Sequence, residues 1–182
     1  MTLWGTGGAY REFLHVDDLA QACLFLMESY DSPELVNVGC GHDIMIRELA
    51  GLVGQIVGYS IFDLREWKRD VMAYVRAVEQ VLIDALGEFG IAAGREPGAT
   101  GVWTEQGKIA AIGVHISRWV TSHGFALNVD TDLSYFRYIV PCGLTKPVTS
   151  MRELGCQAGR DQIVAAVARS FAHVFDREVE KI

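Results

Sequence analysis

The chain has 182 residues, of which 50% are hydrophobic and 21% charged, with a formal net charge of −7. That length holds one medium domain or two small ones, and the composition excludes a disordered chain. The acidic balance excludes a surface built mainly for nucleic acid, because neutralising phosphates takes clustered Lys and Arg. No apolar run reaches the roughly 18–20 residues that cross a bilayer, and MTLWGTGGAYREF has neither the basic start nor the apolar middle of a secretion signal. No membrane contact and a cytoplasmic location are therefore expected. Cys23, Cys40, Cys142 and Cys156 form no CxxC pair and have no histidine at metal-site spacing, so reduced thiols, no metal and no cofactor are the expectation.

In chain order, HVDDLAQACLFLMESY places Leu19, Cys23, Leu26, Met27 and Tyr30 at three- and four-residue steps, which predicts an amphipathic helix with Cys23 toward a core. Asp17 and Asp18 suit its positive N-terminal end. Pro33 and LVNVG then predict a turn into a short strand. The stretch IMIRELAGLVGQIVGYSIFDL is ambiguous, since Ile46, Leu49, Ala50 and Val53 fit a helix while IVGYSIF fits a strand, and a boundary is expected there. DVMAYVRAVEQVLIDALGEFG carries the clearest period. Val71, Tyr74, Val75, Val78, Leu82, Ala85, Leu86 and Phe89 share one face, with Asp70 as cap and Gly90 as terminator. A β-rich block follows: GVWT and KIAAIGVHISRWV flank a short EQG hairpin connection, and Ser122-His123-Gly124 reads as a loop leading into the strand FALNVD. A last helix, DQIVAAVARSFAHVFDRE, has an apolar face of Ile163, Val164, Val167, Phe171, Val174 and Phe175. The expected class is α/β (α+β), a mixed sheet with flanking helices and a small N-terminal strand–helix segment.

Single residues leave their roles open. Cys142, held between proline and glycine in IVPCG, is either a packed thiol or a nucleophile. Lys108 opens a strand, where a lysine is commonly a solvated end. His123 is either a histidine satisfied by backbone or a substrate contact. Cys23, Cys40 and Cys156 read as structural, and His15, His42, His115 and His173 as surface or structural residues. GTGG near the N-terminus is not a phosphate loop, because no GK[ST] follows.

Residues 1 to about 58, on the words WGTGGAYREFLHVDDLAQA, LVNVGCG and IRELAGLVGQIVG, resemble part of the C-terminal half of GDP-L-fucose synthase, an extended short-chain dehydrogenase/reductase. The resemblance implies that Trp4 and Arg11 are remnants of a sugar-nucleotide site, Arg forking onto phosphate oxygens and the indole lying against a ring. No Gly-rich dinucleotide fingerprint and no Tyr-x-x-x-Lys pair accompany it, so neither a dinucleotide nor hydride chemistry is expected. Met45 stands where that family tends to place a Thr helix cap.

From about Gly54 onward, GQIVGYSIFDLREWKRDV, TGVWTEQGKIAAIGVHISRWVTSHGFALNV and IVPCG resemble lipoyl(octanoyl) transferases. This resemblance implies a partial form of the biotin/lipoyl protein ligase fold. It also implies transfer of an octanoyl group from octanoyl-acyl carrier protein to a lysine of a lipoyl domain, in 2-oxoacid dehydrogenases or the glycine cleavage H protein. By the same resemblance Cys142 carries the acyl group as a thioester and Lys108 is its partner. Ala111, Ile112, Gly113, Gly124, Phe125 and Ala126 line the acyl site, where small residues would let backbone N–H groups approach the thioester oxygen. His123 orients substrate, and Phe125 with apolar neighbours holds the eight-carbon chain, whose burial is worth roughly 0.8 kcal/mol per CH₂. The family's Arg-Gly-Gly segment running into Tyr-His-Gly-Pro is replaced ahead of Gly54 by ELAGLV. Together the two resemblances imply a chimera: residues 1–53 derived from a dehydrogenase/reductase, and residues 54–182 an octanoyltransferase-like domain lacking its N-terminal part. The alternative is a non-catalytic fragment that binds a GDP-sugar.

Overall fold

The computed structural model describes residues 10–12, 16–32, 43–45, 54–134 and 147–178, with side chains from 19–32, 54–134 and 147–178. The chain divides into two compact units, Thr6–Leu49 on one hand and Met1–Gly5 with Ala50–Ile182 on the other. No helix among the described residues is long and apolar enough to cross a membrane.

In the smaller unit, strand β1 (Tyr10–Glu12) pairs antiparallel with β2 (Asp43–Met45), and helix α1 spans Val16–Ser29. The helix forms where its period predicts, but of the predicted stripe Leu26 is only partly buried and Leu19 and Met27 are 44% and 83% exposed. Cys23 is exposed as well, which corrects its expected place against a core. A 3.6-residue period shows which face gains by burial; it supplies no surface to bury it against. Met45 pairs with Tyr10 in β2, so it is a strand residue rather than a failed cap. Pro33, the run LVNVG, Cys40, His15 and His42 lie outside the described residues.

The larger unit runs β3 (Gln55–Tyr59), a 3₁₀ turn (Leu64–Glu66), α2 (Val71–Gly87), β4 (Gly94–Glu96), β5 (Ala99–Thr104), β6 (Gly107–Ser117), β7 (Val120–Asn128) and α3 (Arg160–Phe175). Its strands form one sheet in the order β3-β7-β6-β5-β4, every neighbouring pair antiparallel. Among the described residues, the parallel element of this sheet is the isolated bridge between Lys108 and Val148. Helix α2 starts at its expected cap, the Asp70 carboxylate accepting the Ala73 N–H at 2.9 Å. It lies against β5 and β6, and α3 packs beside it. Between helices and sheet is one core. Ile56, Val102, Ile109, Ala110, Phe125 and Leu127 come from the strands, Tyr74, Val78, Val81, Leu82 and Leu86 from α2, and Ile163, Ala166, Phe171 and Phe175 from α3.

Two expectations for the β-rich block change. KIAAIGVHISRWV is not a continuous strand, because it turns at Arg118 and Trp119, whose φ angles are 51° and 68°. These two residues close a two-residue hairpin between Ser117 and Val120, a turn that needs positive φ at both positions. His123 is not in a loop; it sits inside β7, opposite Val114.

Candidate active site

In regular strands with the observed register, Lys108 would share a face with Ala110 and Ile112, and His123 with Phe125 and Leu127. That face is the core. Each residue escapes it through a local backbone irregularity. Trp103 stands opposite Lys108 while Val102 stands opposite Ala110, so Ile109 is an extra residue in β6, a β-bulge. Ile109 and Ala110 are both buried in the core, at 0% and 1% exposure, and the alternation is reset. Lys108 thereby projects from the opposite face, half-buried, with Nζ 5.3 Å from the centroid of the Trp103 ring. Trp103 is 7% exposed yet lies outside the main core cluster, as a residue of that opposite face should.

His123 is turned by a different device. Its φ is +65°, a left-handed backbone that costs a residue with a Cβ. Both His123 and His115 are exposed, and their rings lie 6.4 Å apart at 80°. His115 follows Ala111 and Gly113 on the exposed side of β6, whereas Ile112, Val114 and Ile116 pack toward the core. Contact with His115 puts His123 on the exposed side too. The two side chains share a face but not a place: Val114, the partner of His123, is six residues from Lys108 along β6, about 20 Å at strand rise.

The two tripeptides expected at the acyl site meet residue for residue. Ala111 faces Ala126, Ile112 faces Phe125 and Gly113 faces Gly124. Their faces differ. Ile112 and Phe125 turn into the core, so Phe125 does not offer its ring to the Lys108 face, and the ring instead fills the space over Gly58, where a Cβ would lie 2.3 Å from it. Ala111, Gly113, Gly124 and Ala126 make a smooth strip on the Lys108 face. Gly124 is required by close packing, since a Cβ there would meet the Gly58 carbonyl oxygen at 2.0 Å. Residues 124–126 are also paired on both sides, with β6 and with β3, so their backbone groups serve the ladder. Ala111, Ile112 and Gly113, by contrast, are paired with β7 on one side, and the β5 register ends at Ala110.

Cys142 lies outside the described residues, as does Trp4; Arg11 is described only as a backbone position of β1 opposite Ile44. The chain on either side of residues 135–146 is anchored at the Lys108 end of the sheet. Before it, Val129 and Asp130 N–H groups both bond the Gly54 carbonyl, at 3.0 and 3.1 Å. After it, the Lys108 N–H donates to the Pro147 carbonyl at 2.9 Å and the Thr149 N–H donates to the Lys108 carbonyl at 3.0 Å. Asn128 Nδ2 holds the Thr149 carbonyl at 3.0 Å, while its Oδ1 accepts from Gln55 Nε2 at 2.7 Å.

Sequence reasoning missed three residues around Lys108. A Cβ on Gly101 would stand 2.6 Å from Lys108 Cε, so the glycine vacates the space the lysine stem occupies. Trp103 underlies the ammonium. Glu79 on α2 is fully buried and bonds the Gly101 N–H at 3.2 Å. The sequence signal for Glu79 was a carboxylate between the apolar positions Val78 and Val81–Leu82 of a helix.

Residues 52–172 match the lipoyl protein ligase A/B catalytic domain, and the chain belongs to that family. Among its relatives, the octanoyltransferase of Solibacter usitatus is 68% identical over 126 residues, which is 69% of this chain and 57% of that protein. The octanoyltransferase of Pelobacter propionicus is 40% identical over 167 residues, covering 84% of this chain and 80% of that protein. The chain spans 57% of the Solibacter protein's length and 59% of that of the similar Koribacter versatilis octanoyltransferase. In fold it is similar to biotin protein ligase from Aquifex aeolicus, with a TM-score of 0.55 at 14% identity over 68% of this chain and 53% of that one. A lipoate-protein ligase A bound with ATP gives 0.53 at 15% identity over 70% and 53%. Residues 1–39 match a different family, the NAD dependent epimerase/dehydratases.

Proposed function

We propose that residues 54–182 transfer an octanoyl group from an acyl carrier protein to a lysine of a lipoyl domain, in a 2-oxoacid dehydrogenase or a glycine cleavage H protein, through a thioester on Cys142. Residues 1–53 form a separately derived segment. The Cys142 thiolate attacks the carrier thioester carbonyl; the new C–S bond forms as the carrier thiolate leaves and takes a proton. The acceptor amine then attacks the acyl-enzyme, giving an amide and returning the Cys142 thiolate, with the amine proton passing to Lys108 or solvent. An ordinary thiol, pKa about 8.5, is mostly protonated at neutral pH, and a neighbouring ammonium favours the thiolate. A thiolate that must stay reduced suits the cytoplasm.

The observation that carries this reading is the parallel bridge between Lys108 and Val148. Pro147 stands five positions after Cys142 in sequence, a tether of at most about 18 Å fully extended, and Pro147 is bonded to the backbone of the lysine itself. The strip of Ala111, Gly113, Gly124 and Ala126 leads away from Lys108 as a track free of bulky side chains, along which an unbranched chain can lie. Intact-mass measurement after incubation with octanoyl-acyl carrier protein tests the proposal. An octanoyl adduct is expected on the wild type, absent in Cys142→Ser and slowed about 10²-fold or more in Lys108→Ala. A wild type that takes up no octanoyl mass, or a Cys142→Ser variant that still does, would overturn it.

A further inference from the structure

Glu79 is the one buried carboxylate among the described residues, at 0% exposure on the sheet-facing side of α2. Its Oε2 accepts from Arg76 at 2.6 Å and from Arg95 Nε at 3.0 Å, and both arginines keep a third or more of their side chains in water. A buried ion pair is weak evidence of stabilisation, since an apolar residue of similar volume often serves as well. The remaining oxygen shows what this one does. Oε1 accepts the N–H of Gly101, whose φ of +123° suits glycine. On the other side of Gly101 lies the Lys108 stem, so close that a Cβ would meet both Cε and the Ala110 carbonyl oxygen at 2.6 Å. Two residues further along β5, Trp103 lies under the lysine ammonium.

We propose that Glu79 is a positioning residue for Lys108: from the core side it pins β5 at Gly101, and so fixes the surface across which the lysine stem runs to its place over Trp103. The inference rests on the reading of Lys108 as the partner of Cys142, but the placement of the lysine can be tested without that reading. Glu79→Leu removes both acceptor oxygens at similar volume. Glu79→Gln keeps one oxygen for Gly101 and loses the charge that holds the arginines.

The primary measurement is the rate at which Lys108 is acetylated by a water-soluble N-hydroxysuccinimide ester, followed by peptide mass spectrometry, with exposed Lys68 as internal reference and circular dichroism to confirm folding. Glu79→Leu is expected to change the Lys108 rate several-fold relative to Lys68, while Glu79→Gln stays close to wild type. Octanoyl-enzyme formation should follow the same order, with kcat down by about 10- to 100-fold in Glu79→Leu and KM for the octanoyl carrier little changed. Equal Lys108 labelling in folded Glu79→Leu and wild type would overturn the proposal, as would Glu79→Gln and Glu79→Leu shifting it alike, which marks the ion pair rather than the Gly101 bond. If the wild type forms no acyl-enzyme, the transfer reading fails while the labelling result still decides the role of Glu79.

Discussion

Lys108 and His123 both sit at positions whose sequence parity points them into the core, and both are delivered to the other face by the backbone. The parity was legible; the reversals were not. A bulge depends on which residues of the partner strand are opposite, and a left-handed histidine on what its neighbours hold in place, so neither is written in the local pattern. Gly124, read as an active-site residue from resemblance, has a second reason to be glycine in the carbonyl of Gly58 beside it. At the same scale, Asp63 caps the 3₁₀ turn, accepting from the Arg65 N–H at 2.9 Å and pairing with the Arg65 guanidinium. The side-chain bond to Arg65 brings its pKa from 3.8 down to about 2. A carboxylate lowered on folding contributes stability that is present above 3.8 and is lost as pH falls toward about 2. NMR titration of the wild type should show Asp63 half-protonated near pH 2, and Arg65→Ala should bring it back toward 3.8. An unmoved midpoint in that variant would show that Arg65 is not the cause.

Among the elements, α2 and α3 came through from periodicity because their apolar faces are long and meet a real partner. The buried set on α2 is Tyr74, Ala77, Val78, Glu79, Val81, Leu82, Ala85 and Leu86, while Val71 in its first turn and Val164 on α3, both expected inside, are 43% and 45% exposed. The hairpin between β6 and β7 is the opposite case. Its turn residues, Arg118 and Trp119, carry none of the Asn-Gly chemistry by which such a turn is recognised, so the local pattern reads as one continuous strand. Left-handed backbone costs roughly 1–2 kcal/mol for a residue with a side chain. Replacing Arg118-Trp119 by Asn-Gly should therefore raise the thermal midpoint by about 2–4 °C per kcal/mol relieved. A lower midpoint would mean that Trp119, 39% exposed, gains more from its contacts than its backbone loses.

For the larger unit as a whole, an aromatic cluster joins segments far apart in sequence. The Phe175 ring lies 5.0 Å from Phe62, 5.2 Å from Trp67, 5.9 Å from Tyr74 and 4.4 Å from Phe171. It ties α3 to α2 and to the segment after β3. Phe175 is fully buried, and Phe175→Ala should cost about 3–5 kcal/mol, read from urea unfolding followed by circular dichroism. A loss under about 1 kcal/mol would mean that the cluster closes over the gap. In the smaller unit the same physics is visible by default. Helix α1 is amphipathic by sequence, yet Leu19 and Met27 of its apolar stripe are exposed.

The amino-acid order by itself determined the long helices, the pairing of GVWT with KIAAIG, the likeness of its two parts to different families and the residue types a cysteine–lysine acyl transfer would use, because local period and motif spacing are properties of neighbouring residues. Only the tertiary structure decided which side of the sheet Lys108 and His123 occupy, that Phe125 belongs to the core, and that Glu79 reaches the lysine through Gly101. Each of those depends on a contact between strands or layers distant in sequence, where one extra residue or one inverted φ reverses the direction of a side chain.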